Sequence, residues 1–186
     1  GAYLWRTLAA EFDVAMKAIV QLVGVGTVKL AVGHSFGGAL VLAVAQREPD
    51  LIEKILLCDP VVYSPSAEAM GDVKGEETAA SPKFDLAAGA RKRRSEFDSF
   101  ADAYAHFASK SLFANFPPEA LSLYVGEGLR ESPDGGVRLK CAPEVEAAVF
   151  GSAALSALFG EVETFRAEVL LLHATRGNFD RERYDA

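Results

Sequence analysis

Apolar side chains in the N-terminal segment recur at the three-to-four-residue spacing of a helix. Leu4, Leu8, Phe12, Ala15, Ile19 and Val23 fall on one stripe, because a turn holds about 3.6 residues. The pattern predicts a helix over 3–23 with that stripe against a sheet, ended by Gly24 and Gly26. The period then changes. Leu30, Ala31 and Val32 form an unbroken apolar run, which suits a short strand buried on both faces. Residues 39–45 continue as a helix former, and Glu48-Pro49-Asp50 predicts the stop near Arg47, since the residue before a proline avoids helical backbone. Residues 55–58 and 169–172 are two further strand-like runs. Strand, helix, strand in that order implies a right-handed parallel crossover, so the fold class is α/β.

The long stretch between the last two strands has another character. Residues 64–82 are rich in Ser, Ala, Gly, Glu and Pro and hold few large apolar side chains, the composition of an entry loop into an insert. Helical signals dominate beyond it. Ser99 with Asp102 makes a capping pair for a helix carrying Phe100, Ala103, Tyr104 and Phe107. Pro117-Pro118-Glu119 opens another, with Leu121, Tyr124 and Val125 on one side and Gly126 and Gly128 at its end. Residues 132–136 are turn chemistry, and Val137, Leu139 and Cys141 alternate with Arg138 and Lys140 as a short extended piece. Two short helices are expected at 144–150 and 153–159. Residues 1–62 with 166–186 therefore read as a core, and 63–165 as a mostly helical cap over its site.

The chemistry concentrates where the first strand meets its helix. Gly33, Ser35 and Gly37 spell G-x-S-x-G. A serine pushed out at a sharp strand-to-helix turn occupies backbone costing about 1–3 kcal/mol, and neighbouring chain must pass close to it. Side chains at 33 and 37 are expected to collide there, so glycine at both removes the obstruction. The helix beyond Ser35 aims unpaired N–H groups at the turn, where negative charge develops on a carbonyl under attack. Ser35 is the candidate nucleophile, and the Phe36 N–H a candidate oxyanion donor.

These residues carry a resemblance. Gly-His-Ser-Phe-Gly-Gly over 33–38, Trp5 and Leu8 on the preceding helix, Leu-Leu-Cys-Asp-Pro over 56–60, a long insert and Val-Leu-Leu-Leu-His over 169–173 together resemble the α/β-hydrolase superfamily and its nucleophile elbow. The likeness spans nearly the whole chain. It implies a partial parallel sheet of an α/β-hydrolase core, a serine nucleophile, a histidine base and an orienting acid. A serine at the elbow differs from the haloalkane and epoxide branches, whose nucleophile is a carboxylate.

The partners of Ser35 are harder to place. His34 precedes the nucleophile and should point away from the partner position, His106 falls in the insert as a helix-surface or pocket-lining residue, and His173 ends the third strand in a structural role. None has the place of the triad base. The resemblance thus implies a base beyond Ala186 and a second oxyanion donor before Gly1, which makes the chain an internal fragment. The acid is open between Asp59, ending the second strand, and Asp180, the first carboxylate after the third. The intervening Ala174-Thr175-Arg176-Gly177-Asn178 departs from the family pattern.

Composition narrows the partners. The chain has 186 residues, 50% hydrophobic, with a net charge of −7, and phosphate binding needs an excess of Lys and Arg. Nucleic acid is not expected as a partner. No apolar run approaches the ~18 residues of a membrane span and no signal segment is seen, so a cytoplasmic protein with no membrane partner is expected. Cys58 and Cys141 form neither a metal-like nor a disulfide pattern and read as packing residues in a reducing compartment. The run Arg91-Lys92-Arg93-Arg94 reads as a solvated face. Phe107, Phe113, Phe116, Tyr124 and Phe150 read as cap core, some of them walls of an apolar acyl pocket. No cofactor and no metal is expected, and the substrate is a small molecule with an apolar portion. Two functions compete: a serine hydrolase of an ester or related carbonyl, with carbon–carbon bond hydrolysis open, and a non-catalytic binding or interaction module that keeps the elbow without a working triad.

Overall fold

In a computed structural model that describes residues 3–62, 86–152 and 166–175, the periodic N-terminal segment is helix α1, Trp5–Val23, closed by Gly24 in the left-handed conformation. Its buried stripe is Trp5, Ala9, Met16 and Val20, with Phe12 packed beside the core. This corrects the expected stripe by one residue along the chain. Ala15 faces solvent, and Ile19 and Val23 are 58% and 65% exposed. Two apolar stripes compete on this helix, and the one carrying the bulky Trp5 and Met16 buries more surface.

The chain continues as β1 (Ala31–His34), α2 (Phe36–Arg47) and β2 (Lys54–Cys58). Its middle supplies α3 (Leu86–Arg91), β3 (Glu96–Phe97), α4 (Phe100–Ala108), α5 (Pro118–Gly128), β4 (Leu129–Glu131), β5 (Val137–Leu139) and α6 (Pro143–Gly151). The last strand is β6 (Glu168–Leu172). Contacts divide these elements into two units. Among the described residues the first holds 3–62, 152 and 166–175, and the second holds 86–151.

In the first unit β1, β2 and β6 form a parallel sheet in the order β1-β2-β6. The register sets Ala31, Ile55 and Val169 side by side, and His34, Cys58 and Leu172 at the carboxyl ends. All three strands therefore deliver their following loops to the same edge, where sites of open α/β sheets gather. One face of the sheet packs on α2: Ala31, Ile55 and Leu57 share a core with Met16, Val41, Leu42, Val44 and Ala45. Val32 and Leu170 on the other face are 59% and 60% exposed. The expectation of a first strand buried on both faces is thus corrected, because the described residues cover only one.

The second unit has a core of its own, built from Phe97, Phe107, Phe113, Leu121, Val125 and Leu129. Ser99 caps α4, its hydroxyl accepting from the Asp102 N–H at 3.1 Å, and α5 begins at Pro118 as its sequence predicts. Gly126 lies inside α5, which runs on to Gly128. The expected helix at 144–150 is α6, while that at 153–159 lies outside the described residues. The insert is not helical throughout. Alternation of Val137 and Leu139 inward puts β5 at the centre of a small antiparallel sheet, β3-β5-β4.

Two further expectations change here. Half of the basic run is fixed internally rather than solvated: Arg93 pairs with Glu146 and donates to the Tyr124 hydroxyl at 2.8 Å, and Arg94 reaches Asp102 at 2.7 Å while lying 4.5 Å over the Phe97 ring. Aromatic faces and carboxylates brought from distant positions take up these guanidinium groups. Cys141 is exposed rather than packed, since β5 ends at Leu139 before the alternation reaches it. Both cysteines are free thiols.

Candidate active site

The turn between β1 and α2 is the most constrained main chain in the first unit. Ser35 sits there at φ 51° and ψ −124°, left-handed backbone that a side chain rarely adopts and that costs about 1–3 kcal/mol. The surroundings hold it in place. Its N–H donates to the Cys58 carbonyl at 3.0 Å, and its own carbonyl accepts from Gly38 at 3.0 Å and Val61 at 3.1 Å. A serine at this N-cap position would ordinarily turn its hydroxyl onto the first helical turn. Ser35 makes no such capping bond, so its hydroxyl is left for other chemistry.

The glycines around it divide differently from expectation. A Cβ on Gly33 would stand 2.6 Å from the Gly38 Cα and 2.9 Å from the Gly37 carbonyl oxygen, so no side chain fits there. A Cβ on Gly37 would meet nothing within 4 Å among the described residues. The collision expected at 37 falls instead at Gly38, where a Cβ would lie 2.8 Å from the buried Pro60 side chain. The reason is direction: the loop after β2 passes over the face of α2 that carries position 38. Gly38 and Pro60 were not among the sequence-derived site residues, and the doubled glycine at 37–38 is the signal that points to them.

Phe36 follows the nucleophile and opens α2. Its N–H donates to no backbone carbonyl among the described residues, as first-turn amides lack an intrahelical partner. Its ring is stacked against Trp5, with centroids 4.4 Å apart and a tilt of 47°, and Trp5 is buried. That contact anchors the start of α2, and with it the direction of the amide.

Asp59 shares the other feature of the elbow. It is the second non-glycine residue with positive φ among the described residues, at 41°. It follows β2, the strand paired with β1, and its N–H donates to the Leu172 carbonyl at 2.9 Å. Its Oδ1 accepts the Ala174 N–H at 2.8 Å, which ties the end of β2 to the segment after β6. Ser35, Phe36 and Asp59 therefore gather at the carboxyl ends of neighbouring strands. Asp180 lies outside the described residues.

Two of the three histidines lie at the carboxyl edge of the sheet and one lies in the second unit. His34 is exposed at the end of β1, and His173 is half-buried just past β6. His106 belongs to α4 of the second unit, its ring 5.3 Å from that of Phe97. Burial first, then the positive charges of Lys110 and Arg94, hold its pKa below the ordinary histidine value, with Asp102 opposing. Among the described residues no group of three or more His, Cys, Asp or Glu side chains is placed to hold a metal ion, and no helix is long and apolar enough to cross a membrane.

Comparison with known proteins identifies the fold. The sequence matches the family model of the alpha/beta hydrolase fold over residues 5–131. Comparison with curated proteins found no match. Among solved structures, the chain is similar to an E-2-(acetamidomethylene)succinate hydrolase, with 16% identity and a TM-score of 0.61 over 94% of this chain and 67% of that one. A peroxisomal alpha-beta-hydrolase from Saccharomyces cerevisiae shares 18% identity and a TM-score of 0.73 over 98% and 49%. An esterase from Mycobacterium tuberculosis shares 16% identity and a TM-score of 0.62 over 93% and 52%. At such identities the likeness is one of fold alone. The chain spans between 49% and 67% of the length of these three structures.

Proposed function

Since the chain belongs to the alpha/beta hydrolase fold family, we propose that Ser35 is the nucleophile of a serine hydrolase acting on an ester or related carbonyl. One observation carries this reading. Ser35 is held in left-handed backbone at the carboxyl end of β1 with its hydroxyl uncommitted to helix capping. A fold retains such strain where a side chain must stand clear of the sheet.

In the proposed reaction the Ser35 Oγ forms a bond to the carbonyl carbon as its proton passes to a base. The carbonyl electrons move onto oxygen, where the Phe36 N–H donates to the oxyanion, a contact worth about 2.7–4 kcal/mol in enzymes of this type. Collapse expels the leaving group and leaves an acyl-enzyme, which water then cleaves. The base is taken to be a histidine outside residues 1–186, as the family resemblance implies, since His34 and His173, although they stand at the same sheet edge as Ser35, do not have the triad base's place in the family's order. Asp59 is the favoured orienting acid: its strained main chain stands beside the elbow strand, and Ala174 occupies only one of its carboxylate oxygens. Asp180 is the other candidate. The substrate is a small molecule with an apolar portion, in a reducing cytoplasmic setting that the free thiols suit. A thioester, a lactone or an activated carbon–carbon bond fits the same chemistry.

The second reading is a non-catalytic module on this fold. It draws on the Asp59–Ala174 bond, which gives Asp59 a structural task that needs no histidine to orient. Turnover of p-nitrophenyl esters by the whole protein separates the two. Ser35→Ala is expected to lower kcat by on the order of a thousandfold or more, and Asp59→Asn to lower it while leaving the fold intact. An unchanged rate in Ser35→Ala contradicts the hydrolase reading. A wild-type rate in Asp59→Asn together with a slow Asp180→Asn moves the acid to Asp180.

A further inference from the structure

The second unit contains a cavity of about 620 Å³, within the range of small-molecule sites. Its floor is apolar. Phe107 and Phe113 are buried beneath it, and Leu112, 77% exposed, stands at its wall. Its other lining is cationic, with Lys92, Arg93, Arg94 and Lys110 against a single carboxylate, Glu146.

The charges are not equally available. Arg93 is paired with Glu146, and Arg94 with Asp102. Lys92 and Lys110 have no acidic partner among the described residues, although the chain as a whole carries a net charge of −7. The cavity therefore has the opposite sign to the protein around it. His106 lines the same cavity, and after burial, the first cause of its lowered pKa, Lys110 and Arg94 also oppose its protonation against Asp102.

An apolar lining that also includes two lysines without acidic partners among the described residues matches a ligand with a hydrocarbon body and one anionic head. The planar forks that suit phosphate belong to the two arginines, and both are already occupied. The lysines left over are point charges that take either anion, and the simplest head they neutralise is a carboxylate. We propose that this cavity binds an amphipathic carboxylate, its hydrocarbon part against Phe107, Phe113 and Leu112 and its head on Lys92 and Lys110. Binding there requires no chemistry of Ser35.

Calorimetric titration of the whole protein with octanoate, and with octanol as the uncharged match, tests it. Octanoate should bind saturably and at least roughly tenfold more tightly than octanol, a factor expected from one charge-assisted contact. The double variant Lys92→Gln/Lys110→Gln should lose that preference and leave octanol unchanged. Leu112→Asn, at an exposed position that the fold tolerates, should weaken both ligands. Ser35→Ala should leave octanoate affinity as it was, so this site and the nucleophile fail or stand separately. Absence of saturable octanoate binding, equal affinity for octanol, an unaltered preference in the double lysine variant, or loss of binding in Ser35→Ala would each overturn the proposal.

Discussion

In the first unit the unusual feature is main chain. Ser35 and Asp59 hold φ 51° and 41° at the ends of paired strands, and position 33 has no room for a Cβ. In the second unit no non-glycine residue has positive φ among the described residues, and what is unusual there lies in side chains: an interlocked aromatic core around Phe107 and a cavity that the same aromatics line together with cations. The difference separates two ways of building a site. A nucleophile must be aimed, and strained backbone fixed by hydrogen bonds aims it. A pocket must have shape and sign, and side chains supply both. The first unit should therefore be intolerant of added atoms where the chain passes closest to the elbow, at positions 33 and 38, and the second of removed ones.

The largest effect is expected from truncation in the second unit. Phe107 is buried and meets Phe113 and Tyr124 edge-on and Phe97 at a tilt, with centroids 5.3–5.5 Å apart. Phe107→Ala should destabilise the protein by about 3–5 kcal/mol, read as a lower denaturation midpoint in urea. An unchanged midpoint would mean that the aromatic cluster does not hold that unit together.

A smaller effect separates the two glycines of the motif. Gly33→Ala forces an atom to within 2.6 Å of the Gly38 Cα and should cost about 1–3 kcal/mol. Gly37→Ala enters open space on the first turn of α2 and should be neutral or stabilising by about 0.4–1 kcal/mol, because alanine loses less chain entropy in a helix. Thermal unfolding of both variants checks the contrast. Equal losses would break the account of the elbow as a close approach of positions 33 and 38.

Much of this was legible in the sequence where the cause is local. The strand runs, the Ser99 cap, the proline that opens α5 and the G-x-S-x-G turn depend on neighbouring residues, and each took its expected place. What the sequence did not specify depends on distant chain. Gly38 is crowded by Pro60 from the loop after the next strand, and Asp59 bonds to Ala174, 115 residues away. The basic run is half absorbed by Glu146 and Asp102, partners that no local pattern identifies. On α1 the local signal itself was ambiguous, since two apolar stripes one residue apart both satisfy the helical period and only packing chooses between them.

The central claim is that the strained serine is a nucleophile, and covalent labelling tests it most directly. The whole protein is treated with a fluorophosphonate, and the modified peptide is mapped by mass spectrometry. The account predicts one adduct, on Ser35, absent from Ser35→Ala and retained in Gly37→Ala. No adduct on the wild type, or equal labelling of Ser35→Ala, would contradict it.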